Sequence, residues 1–260
     1  MAEEEKIREH AKHALEALTD KKKKWTERLR DFLWEILIIV VAINLTLWFH
    51  NWSDKRHDRE LEKNFLIGTR NDLNNIKTEL DSGMVRFQPT LDYYDNVWTQ
   101  INEHRIDKAF VDTNSWKLRD ANYFTYNNSR FESFKSSGYL RLIENLTLSE
   151  EITYLYTAEL PFQLEADKSV YDKRDSEFTT YISSKVRLDY KGNMYVSEIL
   201  NNPEVKNQIF MQGIALYERR RHKKELSLWV ERVRDEIDRE LKTRFKYEVK
   251  TEKKIKNASR

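Results

Sequence analysis

The chain has 260 residues, enough for one or two domains with a real core; 35% of them are charged, at a net charge of only +2. Five glycines and three prolines leave little punctuation for hairpins. Neither G-x-G-x-x-G nor G-x-x-x-x-G-K-[ST] occurs, which excludes glycine-rich phosphate loops, and the absence of cysteine excludes disulfides, thiolate metal sites and a cysteine nucleophile.

Residues 3–20 predict a short helix, with Ile7, Ala11, Ala14 and Leu18 along a stripe too narrow for a packed domain. The basic block Lys21–Lys24 follows. Phe32 to Phe49 then reads F-L-W-E-I-L-I-I-V-V-A-I-N-L-T-L-W-F, with one ionisable side chain. At about 1.5 Å per residue, Phe32 to Trp52 spans about 30 Å, the thickness of a bilayer's hydrocarbon core. Trp25 and Trp34 at one edge, and Trp48 and Trp52 at the other, form the aromatic belts of a membrane span. No small-residue cleavage site follows, so the segment reads as an uncleaved anchor rather than a signal peptide. Lys12, Lys21–Lys24, Arg28 and Arg30 before the span outnumber Lys55, Arg56, Arg59, Lys63 and Arg70 after it. That bias predicts a cytoplasmic N-terminus and a periplasmic C-terminal domain.

Two polar side chains interrupt the span. Glu35, one turn inside the first edge, reads as an interfacial carboxylate, or else as one facing a partner helix or proton path. Asn44 lies deeper, where its amide must find hydrogen bonds without water, and is the main candidate for a helix–helix contact.

Beyond the membrane, nothing in the sequence stops the helix until about Gly83. Leu66, Leu73 and Leu80, with Ile76 offset by three, form a seam for a bundle core or a short coiled coil. Such a stalk would couple the two compartments mechanically. Pro89 is expected in the first turn of a new helix carrying Leu91, Tyr94, Val97, Trp98 and Ile101 on one face. Residues 107–128 read as irregular and aromatic. Ser129-x-x-Glu132 and Thr147-x-x-Glu150 are capping-box patterns, the first ending at Gly138, the second opening a long helix to about Lys185 that Pro161 should kink or break. Lys191-Gly192-Asn193 reads as a turn, with a small hairpin possible around it. Asn202-Pro203 is a cap followed by proline, and the helix it opens carries Leu226, Val230, Val233, Ile237 and Leu241 to about Lys242. The fold class expected is mainly α: an N-terminal transmembrane helix extended into a stalk, then an antiparallel helical bundle. The division is a short basic cytoplasmic segment at 1–31, the span at 32–52, a helical extracytoplasmic domain at 53–242 and a basic tail at 243–260.

The anchor E-I-L-I-I-V-V-A-I-N-L-T-L-W-F-H-N-W-S-D-K-R (Glu35 to Arg56) and F-E-S-F-K-S-S-G-Y-L-R-L-I-E-N (Phe131 to Asn145) together resemble a family of uncharacterised bacterial single-pass inner-membrane proteins, a domain of unknown function. The resemblance implies a basic N-terminus, an E-I-L-type anchor ending in N-W and a helical domain, in a bacterial inner membrane. It implies no activity. Where the second family motif has Trp and another Gly, this chain has Phe131 and Tyr139.

No catalytic constellation emerges. Ser133 and Lys135 are two residues apart on a predicted helix and cannot face each other, so a structural helix stop is the better reading. His50, Asp54 and His57 have the spacing to share a metal ion on one helix face, yet they sit where polar residues are ordinary, and no metal or cofactor is expected. His10 and His13 are weaker still, and His104 and His222 are isolated. Tyr93, Tyr94, Trp98, Trp116, Tyr123, Phe124 and Tyr126 read as core aromatics, with a ligand pocket or partner surface as the alternative. The Arg219–Lys224 cluster and the tail read as solvated faces, with anionic lipid or an acidic partner as the alternative.

The sequence therefore predicts a non-enzymatic, membrane-anchored helical interaction protein, a scaffold or accessory subunit of an envelope complex. Its expected partners are membrane lipid and another membrane protein or itself, with no nucleic acid. The alternatives are a single-pass receptor whose helical domain senses a small ligand, and a membrane-bound hydrolase whose site spacing alone does not reveal.

Overall fold

The structure, a computed structural model, describes residues 8–13, 15–16 and 25–247. Ile7, Ala14 and Leu18 of the predicted first helix, the Lys21–Lys24 block and the tail from residue 248 lie outside the described residues. The chain divides into two compact units between Leu61 and Glu62. Among the described residues there is no strand, only a single antiparallel bridge between Leu188 and Met194. The protein is mainly α.

Helix α1 runs from Trp25 to Asn102. In the first unit it contains an 18-residue window of mean hydropathy 2.2, none of it buried, long and apolar enough to cross a membrane. Leu33, Val41, Leu45 and Phe49 all stand exposed. A helix that is apolar all round and covered by nothing suits lipid rather than water.

In the second unit α1 does not stop at Gly83, and Pro89 lies inside it rather than in the first turn of a new helix. Proline in a helix interior costs about 3 kcal/mol, glycine about 1. Burial of Phe87, Leu91, Tyr94 and Val97 around these positions offsets that, at about 1.5–3 kcal/mol for each large side chain. Gly83 is also where Asn122 approaches: its side-chain amide donates to the Gly83 carbonyl at 2.7 Å, and a Cβ there would lie 2.9 Å from Asn122 Nδ2.

After α1 come α2 (Lys108–Thr113), α3 (Ser129–Ser136) and a helical stretch in three pieces, α4 (Leu146–Tyr154), α5 (Leu160–Lys173) and α6 (Thr180–Lys185). Two π-helical turns, Leu155–Glu159 and Arg174–Thr179, join these pieces. The stretch thus continues past Pro161, and the first π turn delivers the chain to that proline in the first turn of α5, where a missing N–H is tolerated. Its buried positions (Leu148, Ile152, Leu155, Leu160, Gln163, Asp167, Tyr171, Arg174, Phe178, Ile182) recur with an excess of fours. That period exceeds 3.6, and the wider π turns absorb the drift.

The two capping boxes are not formed. Asn128 precedes α3 without a side-chain cap, while Asn127 Oδ1 receives Ser129 N–H and O–H. Asn145 caps α4 by accepting from Leu148 N. At α4 the cap thus falls on Asn145, two residues ahead of the predicted Thr147, while α3 starts with no side-chain cap. Gly138 does adopt the left-handed conformation, at φ 72°. The turn at Lys191–Asn193 forms around Gly192 at φ 82°, closed by Asp189 accepting from Lys191 and Asn193. Finally α7 runs from Pro203 to Phe245, capped by Asn202 as its sequence implies, three residues beyond the expected end.

Within the second unit α1 and α7 run antiparallel. Glu62 meets Arg244, Arg70 meets Asp238, Asn74 meets Arg234, Lys77 meets Glu231, Asp81 meets Ser227 and Asp95 meets Tyr217. Leu66, Leu73, Ile76 and Leu80 therefore face their own domain. They join Phe131, Ile152, Leu160, Val230 and Ile237 in one core. A second core gathers Leu91, Tyr94, Val97, Val111, Tyr171, Ile182, Val205 and Leu216.

Candidate functional site

Between these two cores lies a polar layer. Asp167 is fully buried; its Oδ2 receives Lys223 Nζ at 2.7 Å and Phe124 N at 3.0 Å, and its Oδ1 receives Gln163 Nε2 at 2.7 Å. Lys223, also buried, donates to the Asn122 carbonyl at 2.8 Å. His222 Nδ1 lies 2.6 Å from Gln163 Oε1, and its Nε2 lies 3.7 Å from Glu159. Two helical turns along from Asp167, the buried Arg174 donates to the carbonyls of Asp120 and Arg119 and to Asp175, while Thr90 donates to Asp120 at 2.5 Å. Glu159 closes the first π turn and Arg174 opens the second, so the widened turns aim both side chains into the layer.

Burial pulls Lys223 below the usual ammonium range, and the Asp167 carboxylate opposes that pull. Burial, then the nearby Arg219 guanidinium, lowers His222. The groups of the layer hold one another and the backbone around them. Asp167 accepts three bonds, and Lys223 is divided between a carboxylate and a carbonyl. Both tie the irregular 119–124 segment to α5 and α7, and apolar groups there would leave the Asn122 carbonyl and Phe124 N–H without partners.

At the same level, on the outer face of the α1–α7 pair, an open groove of about 530 Å³ is lined by Met84, Val85, Gln88, Arg220, Lys224 and Leu228, with the Lys77–Asp81–Ser227 cluster at one end. A second, more polar hollow of about 350 Å³ lies between Asp112, Trp116, Arg119 and the Gly192–Tyr195 turn.

The residues singled out from sequence are dispersed. Asn44 Nδ2 donates to the Val40 carbonyl at 2.7 Å and Thr46 does likewise to Ala42, so each is partly satisfied by its own helix. Glu35 stands 3.5 Å from His10. Trp25, Trp34, Trp48 and Trp52 are all exposed. His50 pairs with Asp54 at 3.5 Å, and no group of three potential ligands occurs among the described residues. Lys135 turns to Glu132 and the Phe131 ring, while the Ser133 carbonyl receives the hydroxyls of Ser136 and Ser137, so serine and lysine are not brought together. Phe131 and Phe134 are core, stacked on Tyr156 and Phe65. Of the 93–126 aromatics, Tyr93, Tyr94 and Phe124 are buried, Trp98 stacks on Phe210, and Trp116 and Tyr123 are exposed. His222 is not isolated, since it belongs to the polar layer.

Sequence reasoning overlooked Asp167, Arg174 and Glu62, and it placed Lys223 and Arg244 in basic runs read as solvated, whereas Lys223 is buried against Asp167 and Arg244 is paired with the buried Glu62. A signal was present: Lys223 lies seven residues from both Leu216 and Val230, and Asp167 seven from both Leu160 and Arg174. A charge on an apolar stripe marks a buried ion pair.

No protein-family model matches the chain, and no curated protein or solved structure is similar to it.

Proposed function

We propose that the protein is a membrane-anchored, non-enzymatic interaction protein of a bacterial inner membrane, with its N-terminus cytoplasmic and its domain periplasmic, acting as a scaffold or accessory subunit. One observation carries this reading: α1 supplies both an uncovered apolar segment fit to span a bilayer and, through Leu66, Leu73, Leu80 and Leu91, core residues of the folded second unit. The antiparallel α1–α7 pair with α4–α6 packed against it makes the second unit an antiparallel bundle, a rigid platform for a partner. The resemblance of the anchor and of Phe131–Asn145 to bacterial single-pass proteins belongs with this reading.

The test is purification in mild detergent, with quantitative mass spectrometry of Asn44→Leu beside Ile39→Leu. A stoichiometric partner, or a self-associated species, that Asn44→Leu weakens and Ile39→Leu preserves supports the reading. The effect should be modest, since interhelical polar contacts in membranes average about 0.6 kcal/mol and Asn44 already bonds its own helix. A monodisperse, partner-free monomer from both would refute it.

A further inference from the structure

The α1–α7 pair is a zipper of matched polar groups. Arg70 faces Asp238, Lys77 faces Glu231, Asp81 faces Ser227, and Tyr217 faces Asp95. The matching fails at one level. The antiparallel register sets Lys224 across from Met84 and Arg220 across from Gln88, and no carboxylate lies within 4.0 Å of either cation among the described residues. Gln88 gives its amide to Asp92 at 2.7 Å, and Asp81 is taken by Lys77 and Ser227. The level of the mismatch is also the level of the groove. Two unpaired cations one turn apart stand over Met84, Val85 (75% exposed) and Leu228 (58% exposed).

We propose that this groove binds an anionic single-chain amphiphile: the headgroup, a carboxylate or phosphate, sits between Arg220 and Lys224, and the acyl chain lies along Met84, Val85 and Leu228. Charge complementarity supplies the headgroup. Cations on neutral residues in an otherwise matched register leave room for an anion to complete the zipper, and a guanidinium one turn from an ammonium grips a multi-oxygen headgroup from two sides. The exposed apolar floor supplies the tail, since a bare anion would leave Val85 and Leu228 against water. The groove's volume falls within the range of small-ligand sites, about 300–1,000 Å³. The site stands independently of any protein partner.

The experiment uses the full chain in nanodiscs of zwitterionic lipid, titrated calorimetrically with dodecanoate, dodecyl phosphate, dodecanol and inorganic phosphate. Saturable binding of dodecanoate or dodecyl phosphate, with dodecanol and inorganic phosphate each weaker by about tenfold or more, is expected. The two amphiphiles distinguish a carboxylate from a phosphate headgroup. Arg220→Gln with Lys224→Gln should cost about tenfold in affinity, and Leu228→Gln should weaken binding of the amphiphiles without creating binding of inorganic phosphate. These side chains are exposed, so unchanged thermal unfolding of the variants is the accompanying control. Equal affinity for dodecanol, or unchanged binding by the double variant, would reduce the effect to partition into lipid and overturn the proposal. Tight binding of inorganic phosphate alone would mean a bare anion site and also overturn it, as would the absence of saturable binding by both amphiphiles.

Discussion

Replacing Arg244 by Met should be among the most damaging single changes in the second unit. Glu62 is buried at 1% exposure, and its carboxylate receives Arg244 Nη1 at 2.7 Å, Arg244 Nη2 at 2.9 Å and Glu144 N at 3.0 Å. Arg244 also reaches Glu240 at 2.7 Å and Glu144 at 2.8 Å, and these carboxylates, Glu62 foremost, hold its guanidinium above the ordinary arginine range. Methionine keeps the apolar stem but leaves three carboxylates around no cation, with Glu62 retaining one backbone donor. Removing one partner of a buried ion pair costs about 3–5 kcal/mol. The expectation is thus a loss of about 3–5 kcal/mol, or about 6–20 °C in melting temperature for a unit of this size. Most of that loss should be recovered by adding Glu62→Gln. Circular-dichroism melts of the four members of this double-mutant cycle measure it. A loss below about 1 kcal/mol at pH 7, or no recovery on adding Glu62→Gln, would refute the argument.

Three further outcomes are expected. Single-cysteine variants of this cysteine-free chain should label with an impermeant thiol reagent on intact spheroplasts at Ser176 but not at Lys22; the reverse pattern would invert the topology. His222 is held below its usual range, by burial first and then by Arg219, so the unfolded chain takes up the proton before the folded one. Stability should therefore fall as pH drops below about 6.5 and level off once the folded form also protonates, and chemical denaturation across that window should show the slope removed in His222→Gln. Gly213→Ala should stabilise α7 by up to about 1 kcal/mol, because a Cβ there meets Tyr94 at an ordinary 3.6 Å; a lowered melting temperature would show that the site has no room.

The sequence by itself determined the features that rest on local composition and period. The exposed apolar stretch of α1, long enough to cross a membrane, is legible because an unbroken apolar run shows in a single window of sequence. The seam through Leu66, Leu73 and Leu80 is legible because a helix repeats its face. Asn202-Pro203 and Gly138 are legible because cap and left-handed geometry depend on a few adjacent bonds. Only the tertiary structure decided what depends on distant neighbours. Gly83 and Pro89 read as stops, but burial of the flanking Phe87, Leu91 and Tyr94 carries α1 through them. The capping pattern at Thr147 gave way to Asn145, and that at Ser129 formed no side-chain cap. The pairing of Asp167 with Lys223, and of Glu62 with Arg244, joins residues far apart in the chain, so no window of sequence contains both partners. The same holds for the Arg220–Lys224 groove. Its cations belong to one helix, but that they face Met84 and Gln88 rather than an acid is a property of the antiparallel register, which packing alone sets.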